Sequence, residues 1–252
     1  NGAGTLTLSA ANTYTGQTTV NGGTLATAIA NAFASSAAVS VNGGATLALN
    51  GFSQTANNLS GAGHVSLGSA TLTANNSAAT AFGGSIDGAG SLVKTGAGVL
   101  TLSGANAYSG GTTIAAGTLQ LGSGGTSGSI VGNVLDNGTL AVNRSNPLTL
   151  DGVISGSGSL VQQGTGTLTL TGANSYSGGT TIAAGTLQLG NGGTSGAIVG
   201  NVDNRATLAV NRSDALMLEG VISGPGKLAK DGAGTLALKA ANTYSGGTAL
   251  HA

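Results

Sequence analysis

The side chains of this sequence that could do chemistry are few, and the most suggestive recur at a fixed interval. Asn143-Arg144-Ser145 returns further along the chain as Asn211-Arg212-Ser213. A guanidinium is the natural partner of a carboxylated sugar or an acidic receptor, because its planar fork matches a carboxylate. Arg144 and Arg212 are therefore the candidate ligand contacts, set against the plainer expectation of solvated arginines at turns. Arg205 stands where the preceding module has Asn137, so it belongs to no regular array. Carboxylates are too sparse for a polysaccharide lyase or hydrolase, which needs several converging with Arg or Lys; a glycosidase pair sits about 5 to 9.5 Å apart. Asp151 and Glu219 are repeat equivalents, and Asp136 maps onto Asn204. No catalytic residue is assigned. His64 and His251 show no metal-binding spacing, there is no cysteine, and the calcium-binding Gly-Gly-x-Gly-x-Asp nonapeptide is missing, so neither metal nor cofactor is expected. In a chain with 48 glycines, strings such as Gly156-x-Gly158 read as corners rather than phosphate loops.

Composition narrows the classes further. Only 6% of the 252 residues are charged, the formal net charge is zero, and no Asp, Glu, Lys or Arg precedes Asp87. Nucleic-acid binding and attachment to an anionic membrane both need clustered Lys and Arg, so neither is expected. Glycine is abundant without a Gly-X-Y period, which excludes collagen, and disorder usually accompanies high net charge. No run reaches the roughly 18 apolar residues of a membrane helix. Residue 1 lies inside a repeat, with no basic or apolar leader, so any signal peptide is expected to be already removed or outside these residues.

The elements that position the polar groups follow from internal repetition. Four segments, starting at Gly2, Gly96, Gly164 and Gly232, share a pattern marked by the only tyrosines, Tyr14, Tyr108, Tyr176 and Tyr244; the last two intervals between these tyrosines are equal and the first is longer. Each tyrosine is preceded, two places earlier, by an asparagine: Asn12, Asn106, Asn174 and Asn242. These Asn-x-Tyr pairs are expected to be structural corners, the amide capping a turn and the ring covering a coil edge. A shorter rhythm of Gly-Thr-Leu strands runs inside the long one, three longer steps followed by one short step, and the same order of steps is repeated from Gly98 and again from Gly166. We read each repeat of this order as a module of about three coils, one of them stretched by an extra short strand. Thr167-Leu168-Thr169-Leu170 alternates polar and apolar, which turns Leu inward and Thr outward. The Ala-rich stretch from Ala26 to Val41 lacks the alternation and reads as a loop or short helix. A four-residue strand cannot hold itself, but a parallel ladder to the coil below, about 4.8 Å away, satisfies its backbone. The expectation is an all-β parallel β-helix, or β-solenoid. It should run as a single fragment over residues 1–252, cut within repeats at both ends, with roughly 11 coils and equivalent corners about 14 Å apart.

The motif G-x-G-x-L-x-L-x-(G/A)-A-N-x-Y-(S/T)-G-x-T, followed by a second G-T-L strand, resembles the passenger-associated transport repeat of bacterial autotransporters. The resemblance covers residues near 2–28, 96–122, 164–190 and 232–252, and connecting coils extend it over nearly the whole chain. It implies a right-handed parallel β-helix forming part of a Gram-negative passenger domain, exported through the outer membrane and either displayed on the cell surface or secreted. It also implies a C-terminal translocator β-barrel on the same polypeptide as partner, outside these residues. Residues 41–94 keep the strand rhythm but lack the Asn-x-Tyr corner, and Gly16-Gln17 replaces the paired glycines of the later copies.

The expected function is that of a stalk supporting folding, secretion and display of the passenger. The alternative is an adhesin-type module whose Thr-rich face or Arg-bearing turns contact host glycans, extracellular-matrix proteins or the same protein on another cell. An enzyme is disfavoured by the carboxylate count. An ice-binding face is disfavoured because Thr118-Leu119-Gln120 interrupts any Thr-x-Thr array.

Overall fold

The computed structural model describes residues 2–251. Among them the regular elements are thirty short strands, with no helix, and every strand pairing is parallel. They wind a β-solenoid whose turns number about twelve. The Ala-rich stretch takes the loop form. After the strand Gly23–Thr27 it turns until Val39–Val41, with Phe33 and Ser36 buried and the Ser36 hydroxyl bonded to the Gly16 and Ala38 carbonyls.

Contacts divide the chain into two compact units. The first runs as far as Ser123 and includes Ser127–Gly132; the second holds Gly124–Thr126 and everything from Asn133 on. In the first unit three stacks form three faces. One stacks Thr5–Leu8, Gly23–Thr27, Ala45–Ala48, His64–Ser66 and Ser85–Asp87. A second runs from Thr18–Val20 to Thr118–Leu121, and a third from Gln54–Asn57 to Thr112–Ile114.

In the second unit one face carries Thr139–Val142, Ser159–Gln162, Thr180–Ile182, Val202–Asn204 and Ile222–Ser223. The next carries Leu148–Leu150, Thr167–Leu170, Thr186–Leu189, Thr207–Val210, Lys227–Lys230 and Thr248–Leu250. Val134–Asp136 pairs with Ile154–Ser155, and Leu216–Leu218 with Leu236–Leu238. Alternation sends leucine inward in register. Leu148, Leu168, Leu187, Leu208 and Leu228 form one continuous buried ladder, the in-line stacking that makes a narrow solenoid core cohesive.

The ladder registers refine the module. Leu148 pairs with Leu168, Thr167 with Thr186, Thr186 with Thr207 and Thr180 with Val202. A coil therefore takes about 20 residues, the short end of the range for solenoid repeats. Three coils use about sixty residues, and the rest of the module carries the chain round to the next face. Repeat equivalents accordingly change sheets. Ser159–Gln162 lies with Thr139–Val142, whereas its equivalent Lys227–Lys230 lies with Thr207–Val210. Likewise Thr180–Ile182 lies on the first of these faces and Thr248–Leu250 on the second. A module is thus three coils and a third. The short step, read from the sequence as an extra short strand that stretches one coil, is a change of face.

Glycine sharpens the turns where coils crowd. Gly185 has φ +63°, and a Cβ there would lie 2.3 Å from the Gly166 carbonyl oxygen one coil below. Only a residue without a side chain fits that corner.

Candidate functional site

The Asn-x-Tyr corners are built alike, and each uses a threonine one short turn after the tyrosine. In the second unit the side chain of Asn174 enters the backbone ladder. Its Oδ1 accepts from the Ile154 amide at 2.8 Å, while Nδ2 donates to the Gly172 carbonyl at 3.0 Å and the Ala197 carbonyl at 2.9 Å. One amide thereby ties its own coil to the coils on both sides. Asn106 does the same in the first unit with Ile86, Gly104 and Ser129. Both asparagines are buried, as required for a group that replaces backbone hydrogen bonds rather than meeting solvent. The Tyr108 and Tyr176 rings are fully buried, and their hydroxyls lie 2.7 Å from Thr112 Oγ1 and Thr180 Oγ1. Burial pushes both phenols well above the usual tyrosine range, so they stay neutral.

The outer copies keep the geometry with fewer neighbours. Asn12 donates to the Ala10 and Ala32 carbonyls, and Asn242 accepts from Ile222 and donates to Ala240. Tyr14–Thr18 and Tyr244–Thr248 retain the 2.7 Å contact, though Tyr14 is exposed and Tyr244 half-buried. The threonines were visible in the sequence motif; what the sequence did not reveal was that they are the hydrogen-bond partners of a buried ring.

The two arginines face their own chain. Arg212 is buried, donates to both oxygens of Asp214, and reaches the carbonyls of Gly196 and Thr194 at 2.8 and 2.6 Å. It clasps the glycine-rich loop of a long coil. Arg144 makes the same clasp with Asn146 Oδ1 and the Thr126 carbonyl, and partial burial lowers its pKa. Asn146 stands where the next module has Asp214, so the Arg212 clasp is an ion pair and the Arg144 clasp is not. Arg205 is exposed and paired with Asp203 at 2.8 Å.

Sequence reasoning passed over a third recurrent polar position, occupied by Lys94, Gln162 and Lys230 at equivalent strand ends in successive modules. Lys94 is fully buried, and its Nζ donates to the carbonyls of Thr95, Gly96 and Ala116; burial lowers its pKa. Gln162 Nε2 serves the Gly164 and Gly166 carbonyls, and Lys230 Nζ bonds the Gly232 carbonyl. A donor at this place satisfies carbonyls that the turn leaves facing inward.

Two further histidine–carboxylate pairs lie apart from one another. His64 Nε2 meets Asp87 Oδ2 at 2.8 Å, and His251 Nδ1 meets Asp231 Oδ1 at 2.5 Å. Asp151 accepts from the Thr171 hydroxyl. Among the described residues no three His, Asp or Glu side chains converge in a way that could hold a metal ion. Surface depressions include an apolar one around Leu6, Leu8 and Tyr14, a glycine-floored one beside His64, and an apolar one among Leu228, Leu236 and Leu250. None of these gathers groups for acid–base or nucleophilic chemistry.

Comparison with known proteins falls on the same segments. The family described as Passenger-associated-transport-repeat matches residues 1–26, 92–121, 160–189 and 228–252, which carry the four corners. The Adhesin BmaC autotransporter of Brucella suis biovar 1 (strain 1330) is 40% identical over 319 aligned positions, and the alignment covers 99% of this chain but only 9% of that relative. No solved structure matches the chain. With the corner built four times into a parallel solenoid, the chain carries autotransporter passenger repeats, and its likeness to an autotransporter implies export through the outer membrane to the cell surface or the medium.

Proposed function

We propose that this segment is a structural stalk that supports folding, secretion and display of the passenger to which it belongs, without catalytic activity of its own. The observation that carries the reading is the direction of its recurrent polar groups. Asn106, Asn174, Arg212 and Lys94 spend their donors on backbone carbonyls of the same chain and hold neighbouring coils together. A binding face would present such groups outward. In this reading the parent protein delivers the stalk through its own C-terminal translocator barrel, and corner residues Asn12, Tyr14, Asn242 and Tyr244 serve as further coil ties.

The name of the relative, an adhesin, favours a second reading in which the segment itself contacts host glycans, matrix or the same protein on another cell. An in-frame deletion of Gly164–Asp231 in the parent, expressed on cells, separates the two. The stalk reading expects surface display and adhesion to persist. Loss of adhesion with display intact would place binding in this segment.

A further inference from the structure

Asp136 is the one carboxylate fully buried among the described residues. It ends the strand Val134–Asp136. Its Oδ1 accepts from the Gly138 amide at 3.0 Å, and its Oδ2 has no hydrogen-bond partner. Gly158, one coil on, packs directly against it, since a Cβ at that glycine would lie 2.4 Å from the carboxyl carbon. The glycine thus closes one side of the carboxyl group.

The repeat shows what this place is built to hold. Asn204, at the same place in the next module, is equally buried, and Gly226 packs on it as Gly158 packs on Asp136. Asn204 Oδ1 accepts from the Ala206 amide, the equivalent of Gly138, and its Nδ2 donates to the Lys227 carbonyl at 2.9 Å. The carbonyl equivalent to Lys227 in the earlier module is that of Ser159. At Asp136 a carboxylate oxygen thus occupies the position of a donor, where the repeat directs a backbone carbonyl. Two acceptors cannot satisfy one another; a carboxyl hydroxyl and a carbonyl can.

We propose that Asp136 folds as a neutral carboxylic acid whose hydroxyl donates to the Ser159 carbonyl, forming a clasp between two coils that tightens as the surrounding medium becomes acidic. The environment agrees. Burial pushes the group up to about 6 against the pull of the Gly138 and Leu140 amides. Within its unit, the paired strand Ile154–Ser155, the following strand Thr139–Val142, and Ser159–Gln162 next to Gly158 contribute no titratable side chain. The one titratable neighbour is Tyr176, itself held neutral and bonded to Thr180. Because the folded value lies above the ordinary carboxylate value, the fold retains a proton that the unfolded chain releases. Stability is therefore greatest at low pH, falls as pH climbs towards about 6, and stays reduced above it. A segment carried to the cell surface or the medium meets external pH directly, so the clasp would stiffen this coil contact in acid surroundings.

The test compares melting temperatures of the whole chain, wild type, D136N and N204D, at about pH 4 and about pH 8, since differences between variants cancel the titration of every other group. The proposal expects D136N to melt several degrees above wild type at the higher pH and level with it at the lower. It expects N204D to melt lower than wild type chiefly at the higher pH. An infrared spectrum near pH 5 should carry a neutral-acid carbonyl band that D136N abolishes. A D136N variant no more stable than wild type at the higher pH, an equal shift at both pH values, or absence of the acid band would overturn it.

Discussion

At the scale of single residues, burial and partnering decide which of the repeated side chains matter. Asn174 bonds the Ile154 amide and the Gly172 and Ala197 carbonyls, the Gly172 carbonyl also accepting from the Ala197 amide, whereas Asn12 has partners on one side only among the described residues. Asn174→Ala should therefore cost about 2 kcal/mol or more, because it strands the buried Ile154 amide and removes a bond between coils. Asn12→Ala should cost less than about 1 kcal/mol, since water reaches that corner. Chemical denaturation of the two variants checks the ranking, and equal losses would mean the corner amide is not a coil tie. The arginines separate in the same way. Arg212 is buried against Asp214, Gly196 and Thr194, so Arg212→Ala should cost about 2 kcal/mol, and Arg144→Ala, at a more open clasp, roughly half as much. These side chains also show where sequence reading stops. Asn143-Arg144-Ser145 and its copy advertised a recurrent cation but not its direction, and a guanidinium looks the same in a sequence whether it faces a ligand or its own loop. Asp136 was still less legible, because its meaning lies in one unpartnered oxygen facing the place where Asn204 has a donor.

At the scale of the strand, legibility was greatest. Period-2 alternation in Thr167–Leu170 requires one face to be apolar, and any register other than Leu on Leu would bury threonine. The ladder from Leu148 to Leu228 realises that constraint. Leu168 sits between Leu148 and Leu187 with no exposure, so Leu168→Asp places an unpaired carboxylate in the ladder and should cost several kcal/mol, about 4 or more, opening the adjoining coils. Thr149→Asp, on the outward, exposed side of the neighbouring strand, should change stability by less than about 0.5 kcal/mol. Hydrogen exchange on the two variants distinguishes a local opening around residues 148–187 from global loss. If Thr149→Asp proved the more damaging, the inward and outward faces would be reversed. The face change within each module escaped the sequence reading for a physical reason. A Gly-Thr-Leu strand has the same pattern on every face of a three-sided prism, so the short step looked like an extra strand within a coil.

At the scale of the whole molecule, three coils and a third per module make a precise statement about which lengths of chain can be removed. Deleting Gly164–Asp231 joins Gln163 to Gly232, the residue that occupies the repeat position of Gly164. Leu236–Leu238, which stacks on Leu216–Leu218 in the intact chain, then follows Ser159–Gln162 as Thr167–Leu170 does and finds Leu148–Leu150 beneath it. Every later strand moves by one face, but each meets a neighbour equivalent to the one it lost. The shortened chain should unfold cooperatively with a circular dichroism spectrum of unchanged shape, because a solenoid that loses a module loses only that module's own and interface contributions. Deleting half as much, Gly164–Ala197, joins Gln163 to Ile198 and brings Val202–Asn204 directly after Ser159–Gln162. Those two strands belong to the same face of the intact solenoid, so two sides of the prism are missing between them and the chain cannot reach the next coil in register. That variant should lose cooperative unfolding and become sensitive to protease from residue 163 onward. The same behaviour from both deletions would show that the coil contacts tolerate any register, and the module of three coils and a third would have to be abandoned.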